Sequence, residues 1–314
     1  MNMPSCLPRA GEPARTRRQG AVAGGLTALA ALVALGSLSW LVVILQRDVE
    51  AGSFSVIDAG RARLDVGAGW FDPRWERELA GLLAALGSIR SDDKPAIEAV
   101  AERVRGLSFV ERAAAPEVLW PDGLRIEVDL RSPVACVRTP EQGYLPVSAD
   151  GTVLSGEWRA PPVREAGFLP RIVLGPDLCD DVRPGAVLDS SAATDGLAIA
   201  VTMWEQLAPV DLTRLGRVTI DARKARETSV DEPGARIQLE HARRILFGRA
   251  PSSDEPGELP VHLKWRLVSK AMAMLPEHFG PGAQGERRDW VELDVRWDNG
   301  ALVPREPSEV AESR

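Results

Sequence analysis

The chain is poor in the side chains from which active sites are usually built. Its 314 residues include three histidines, three cysteines and a single tyrosine. His241, His262 and His278 are scattered, and none has metal-ligand spacing to a cysteine or to another histidine. Neither a Gly-x-Ser-x-Gly elbow nor a Gly-rich phosphate loop occurs. Asp180 and Asp181, beside Cys179, fall in a Pro/Gly-flanked stretch that reads as a solvated turn rather than an acid/base pair. These absences argue against an enzyme and leave no cofactor, metal or small-molecule substrate to expect. Positive charge is also scarce, with 38 Lys and Arg against 45 Asp and Glu. An acidic surface repels phosphate backbones, so nucleic acid is excluded as a partner.

Long apolar runs are lacking too, with one exception. Residues 21–45, AVAGGLTALAALVALGSLSWLVVIL, contain no charge. At ~1.5 Å per residue this stretch crosses the ~30 Å hydrocarbon layer as a helix, the form that satisfies its own backbone in lipid. Its glycines weaken a helix in water but are tolerated in a membrane span. Arg9, Arg15, Arg17 and Arg18 precede it, whereas Arg47 is the only base in the fifteen residues that follow. Positive flanks stay in the cytoplasm, so residues 46–314 are expected on the far side. The exit, WLVVILQRDVE, is bulky and lacks a small-residue cleavage site. An uncleaved anchor therefore fits better than a signal peptide, a twin-arginine signal or a lipoprotein anchor. Setting aside the four arginines and one acid before the span, 34 basic and 44 acidic residues remain, a net charge of −10. Cys136 and Cys179 would share the outer compartment. They are either a disulfide pair, if that space is oxidising, or two buried thiols acting as small hydrophobes.

Residues 1–20 read as a disordered tail. Beyond the span, Phe54–Val66 has the loose alternation of a first strand. Two amphipathic helices follow. Asp72 and Pro73 open the first, Trp75, Leu79, Leu82, Leu83 and Leu86 stripe it, and Gly87 ends it. The second spans about Pro95–Arg105, with Ile97, Val100, Ala101 and Val104 inward, and closes on Gly106. The period then changes to two. Phe109–Leu119 and Leu124–Leu130 read as strands around a Pro121-Asp122-Gly123 turn. In the second, Leu124, Ile126, Val128 and Leu130 alternate with Arg125, Glu127 and Asp129.

That run, LSFVERAAAPEVLWPDGLRIEVDLRSPVACV, resembles the end of the POTRA domain of the FtsQ/DivIB family of bacterial cell-division proteins. Leu107, Phe109, Val110, Trp120, Pro121, Leu124, Arg131, Pro133, Val134 and Ala135 carry the match, and Ser108 stands where the family has proline. GYLPVSADGTVL resembles the first hairpin of the family's second domain, with Asp150-Gly151 as the turn. ELDVRWDNGALV resembles its terminal strand, an Asp-Leu-Arg-aromatic-Asp run ending in Gly.

The expected fold class is therefore α+β. A membrane helix (21–45) precedes a β-α-α-β-β POTRA-like domain (52–132), and a mixed, mostly antiparallel β domain with flanking helices occupies 133–303. Residues 304–314 are expected to form a polar, disordered tail. In the second domain, strands are expected at 171–175 and 217–221, and a strand pair within RIQLEHARRILFGR. Helices are expected at 193–207, where Trp204 faces the core, and from Leu263, where Trp265 does.

The resemblance implies a bitopic inner-membrane scaffold at the division septum. Its N-terminus would be cytoplasmic and its bulk periplasmic. It would bind the small coiled-coil membrane proteins FtsB and FtsL and regulate septal wall synthesis. A POTRA-bearing export or secretion component is the alternative, and an anchored exterior enzyme the third reading. The expected partner-binding residues are Val291, Leu293, Val295, Arg296, Trp297 and Gly300, on a last strand read as a sheet edge open to a partner strand. The resemblance puts Arg296 and Trp297 where the partner is contacted. The alternation itself puts Arg296 outward, with Glu292 and Asp294, and Trp297 on the core face.

Overall fold

A computed structural model of the chain describes residues 32–47, 56–67, 69, 72–119, 123–139, 141, 143–175, 182–229, 231–253, 257–275, 289–298 and 300–304. Residues 32–47 form a helix, α1, whose side chains are exposed except for half-buried Ile44. Leu32, Val33, Leu35, Leu38, Trp40 and Leu41 all stand open, an arrangement that apolar surface does not favour in water. Its two hydroxyls are satisfied within the helix, Ser37 Oγ donating to the Ala34 carbonyl and Ser39 Oγ to the Leu35 carbonyl, each at 2.9 Å. Among the described residues no helix is long and apolar enough to cross a membrane. The first part of the expected span, 21–31, lies outside them.

The first domain is α+β. Strands β1 (Val56–Asp58) and β2 (Arg63–Val66) lead to helix α2 (Pro73–Leu86), strand β3 (Ser88–Arg90) and helix α3 (Lys94–Arg105). Strands β4 (Val110–Ala113), β5 (Glu117–Leu119) and β6 (Gly123–Leu130) complete it, and the expected β-α-α-β-β order is interrupted because β3 separates the two helices to pair with β1. Phe54–Val66 is not one strand. Asp58 turns the chain by accepting the Gly60 N–H at 3.0 Å, so β1 pairs with β3 while β2 runs parallel to β6. Phe109–Leu119 is likewise broken, at 114–116, where Pro116 has no N–H to give a ladder. Both halves pair with β6, antiparallel. Helix α2 starts where Asp72 accepts the Arg74 N–H at 2.9 Å, and α3 where Asp93 accepts that of Ala96. Their stripes bury Leu79, Leu83, Val100 and Val104 against Leu124, Ile126 and Val128, and Leu130 packs at the margin. The Trp75 and Phe109 rings stack at 4.9 Å in the middle of this core. Trp120 lies outside the described residues. The other face of β6 is wet, with cross-strand ion pairs Arg125–Asp65 and Arg112–Asp129.

The second domain is built on one sheet of eight strands in the order β16-β15-β14-β13-β12-β11-β7-β8. These are β7 (Pro133–Arg138), β8 (Tyr144–Ser148), β11 (Arg171–Ile172), β12 (Thr219–Asp221), β13 (Ala235–Gln238), β14 (Arg244–Gly248), β15 (Trp290–Asp294) and β16 (Ala301–Pro304). A two-stranded ribbon, β9 (Val163–Arg164) and β10 (Gly167–Phe168), stands apart. Four of the seven pairings are antiparallel; β7–β11, β11–β12 and β14–β15 are parallel. Helices α4 (Ser191–Gln206), α5 (Pro209–Leu215) and α6 (Val261–Ala273) pack on it, with Trp265 fully buried and Trp204 partly so. The strands at 171–175 and 217–221 are shorter than their apolar runs, since only Arg171–Ile172 and Thr219–Asp221 pair.

The two domains are joined by side chains as well as by chain. Trp75 Nε1 donates to the Ser155 carbonyl at 2.9 Å, Ser155 Oγ to Glu78 Oε2 at 2.7 Å, and the Ser155 N–H to Ser108 Oγ at 2.9 Å. Proline at 108 could not accept that last bond. The Arg74 guanidinium lies 4.3 Å from the centre of the Trp158 ring. Ile126 sits at the centre of the first core with no exposed surface. Ile126→Ala should therefore lower stability by about 2–5 kcal/mol. Denaturant unfolding of the purified protein measures this, and a change below 1 kcal/mol would contradict the assigned face of β6.

Candidate functional site: the C-terminal sheet edge

The strand expected at the edge is interior, because β15 pairs in parallel with β14 on one side and antiparallel with β16 on the other. The edge is β16, a strand of four residues that begins just after Gly300. Gly300 does not simply end a strand; it closes the reverse turn between the two. It adopts φ +52, and its N–H donates to the Trp297 carbonyl at 3.2 Å. Asp298-Asn299-Gly300 between two apolar runs is a hairpin signal, and it is the sequence feature that could have located β16. The far edge of the sheet is not open in the same way: β8 is bridged by Tyr144↔Trp158 and Val147↔Val153.

The alternation expected along Val291–Trp297 also fails at its end. Leu293 and Val295 are buried as expected, and Val291 is half-buried. Pairing stops at Asp294, whose Oδ1 accepts the N–H of Arg296 at 3.0 Å. This local side-chain turn replaces the ladder and shifts the phase by one residue. Arg296 is consequently turned inward and 6% exposed, while Trp297 is turned outward and 47% exposed.

Arg296 is therefore not the exposed donor inferred from the alternation. Its Nε and Nη2 grip Asp294 Oδ1 and Oδ2 at 3.0 and 2.8 Å, and its Nη1 donates to the Ser229 carbonyl at 3.0 Å. The Asp294 carboxylate holds the guanidinium above its ordinary range. An arginine fork matched to a carboxylate in this way is a structural tie that lysine would reproduce poorly.

What the edge presents is apolar and open. Trp297 and Val303 are exposed, with Ala301 and Pro304 beside them. A cleft of about 390 Å³ adjoins β16, lined by Leu267 and Lys270 of α6 and by Met274 at its C-cap, together with Leu293 and Leu302. Of the six residues expected at the site, the structure brings Trp297 and Gly300 to the edge. It places Val291, Leu293, Val295 and Arg296 behind it, on β15 and its continuation.

Among the described residues no cluster of His, Cys, Asp and Glu could hold a metal ion. His241 lies in the turn between β13 and β14, His262 is exposed on α6, and His278 lies outside the described residues. Cys136 is a free, buried thiol that donates to the Leu169 carbonyl at 3.5 Å, and burial pushes its pKa up. Cys179, like Asp180 and Asp181, lies outside the described residues. No protein-family model matches the chain, and no curated protein matches it.

Because Arg296 is buried against Asp294, Asp294→Ala strands a charge out of water. We expect a loss of about 3–5 kcal/mol, against less than 1 kcal/mol for Trp297→Ala on the exposed side of the same turn. Thermal or denaturant unfolding of both variants measures the difference. Equal losses would contradict the phase assigned to this segment.

Proposed function

We propose that the protein is a bitopic scaffold of the division septum that works by binding rather than by catalysis. One helix at 21–45 anchors it in the cytoplasmic membrane, with residues 1–20 in the cytoplasm and the two domains outside. The C-terminal edge of the large sheet accepts a strand from a small coiled-coil membrane partner of the FtsB/FtsL type. Partner binding there regulates septal wall synthesis.

The observation that carries this reading is the open edge. Among the described residues strand β16 is paired on one side only, so its outer row of N–H and C=O groups is available to a partner backbone, and the exposed Trp297 and Val303 supply apolar contact beside it. Three further features support it. The first domain sets two amphipathic helices, with the short strand β3 between them, beside the sheet of β2, β4, β5 and β6, and the sheet domain follows directly. The motifs that resemble the FtsQ/DivIB family fall at the domain junction and at the terminal hairpin. The described half of the apolar run is a helix whose side chains are almost all exposed among the described residues. An apolar cylinder of that kind is stable in lipid, and the arginines before it orient it.

The test separates folding from binding. Trp297→Ala combined with Val303→Glu changes only exposed side chains, so the double variant should stay folded and membrane-anchored. In a two-hybrid assay against FtsB- and FtsL-type proteins its signal should fall by about tenfold or more, the equivalent of ~1.4 kcal/mol. Undiminished binding would move the interface away from this edge. Topology is checked independently: a reporter active only outside the cytoplasm should work when fused after Arg314, on an uncleaved chain. An active cytoplasmic reporter at the same position would contradict the anchor.

A further inference from the structure

Behind the open edge lies a group of charges kept almost wholly from water. Lys264, near the start of α6, has a side chain only 2% exposed. Its Nζ donates to the Phe247 carbonyl at 2.8 Å, to the Arg249 carbonyl at 3.4 Å and to Glu258 Oε2 at 2.6 Å, and it lies 4.9 Å from the centre of the Phe247 ring. Glu258 Oε2 also accepts the Arg249 N–H at 2.9 Å. Gly248 makes room for this carboxylate: it adopts φ +82, and any Cβ there would collide with Glu258. The next residue, Leu259, donates its N–H to the Arg296 carbonyl at 2.9 Å. Arg296 in turn holds Asp294 and the Ser229 carbonyl. Hydrogen bonds thus tie α6 to the end of β14 and to Glu258, and the next residue of the chain, Leu259, carries the tie into the turn between β15 and β16.

Stability alone does not account for a lysine at this position. A cation near a helix N-terminus opposes the helix dipole, and a buried ion pair is often no more stabilising than apolar residues of the same volume. Burial holds the Lys264 ammonium below the usual lysine range, and Glu258 only partly restores it. What the pair does supply is direction: its bonds to the backbone of Phe247 and Arg249 hold Glu258, and with it Leu259, against the end of β14, the strand beside β15.

We propose that Lys264 and Glu258 are positioning residues for the partner-binding edge. They pin Leu259 against Arg296, and so fix the turn that presents β16 with its free backbone row outward. The proposal rests on the reading of β16 as that edge. Neither residue is assigned a contact with the partner; they act through Leu259 and Arg296.

The experiment is hydrogen–deuterium exchange of the full chain in detergent micelles, without partner. Lys264→Met combined with Glu258→Leu replaces both charges and so avoids stranding either one. The double variant should keep its global unfolding midpoint and the slow exchange of β7 and α4. Amides 295–303 should exchange about tenfold faster or more, as expected for a local opening that no longer has its tie. In the two-hybrid assay its partner signal should fall in parallel, although Trp297 and Val303 are untouched. Should the double variant fail to fold, Glu258→Gln serves in its place. It keeps one acceptor for Lys264 and should raise exchange at 295–303 selectively by a smaller factor. Exchange at 295–303 that is unchanged, or raised only in step with the whole protein, overturns the proposal. A wild-type chain that binds no coiled-coil partner removes the reading of the edge instead, and leaves the exchange result to stand separately.

Discussion

Each strand in a sheet carries two rows of backbone N–H and C=O groups, and the strands at its two ends have one row without a neighbouring strand. Unpaired rows are unfavourable when buried and adhesive when exposed, so a sheet of eight strands has to resolve both of its ends. In this protein the ends are resolved differently. At β8 the chain folds back on itself: the Ser148 N–H donates to the Thr152 carbonyl and the Leu154 N–H to the Pro146 carbonyl, while Tyr144 and Trp158 exchange bonds in both directions. The segment that seals this edge also carries Ser155 and Trp158, which receive Trp75, Ser108 and Arg74 of the first domain. One short stretch thus closes a sheet edge and docks a neighbouring domain. At β16 no such cover exists among the described residues.

Closing one edge internally and leaving the other open gives the molecule a polarity. The first domain, next to the apolar helix in sequence, is tied to the closed end, and the open end lies at the opposite side of the sheet. The open end is short, at four residues, which limits indiscriminate pairing with other chains. Behind it, the ties of Arg296 to Asp294 and of Lys264 to Glu258 are internal, so they add rigidity without offering exposed charge. A partner strand would meet a preformed template rather than one it has to order, and preorganisation of that kind raises affinity by lowering the entropy lost on binding.

Much of the first domain was legible in the sequence because its signals are local. Asp72-Pro73 and Gly87 bracket α2 at the residues expected, and the period-two run of β6 places Leu124, Ile126 and Val128 inward. The terminal segment was legible only up to Asp294. A strict alternation assumes that the strand continues, and nothing in the spacing of Val291, Leu293 and Val295 shows that the Asp294 side chain will capture the Arg296 N–H. That single bond exchanges the roles of Arg296 and Trp297. The edge was misplaced for a different reason. Whether a last strand lies at the end of a sheet depends on what pairs with it, and the parallel pairing of β14 with β15 joins segments separated by a helix and a long connection. Such non-local pairings leave no period in the sequence. The breaks at Asp58 and Pro116 split expected strands for the milder reason that one turn-forming residue can outweigh an apolar run.

On the proposed reading a coiled-coil membrane partner adds to the sheet at β16. Site-specific photo-crosslinking in dividing cells tests it most directly, with the photoreactive residue placed at Val303 and, for comparison, at Val118. Both positions are exposed, one on the open edge and the other on β5 of the first domain. The account predicts a covalent adduct with a small FtsB- or FtsL-type protein from position 303 and none from position 118. An adduct with that partner from 118 but not from 303 would contradict it.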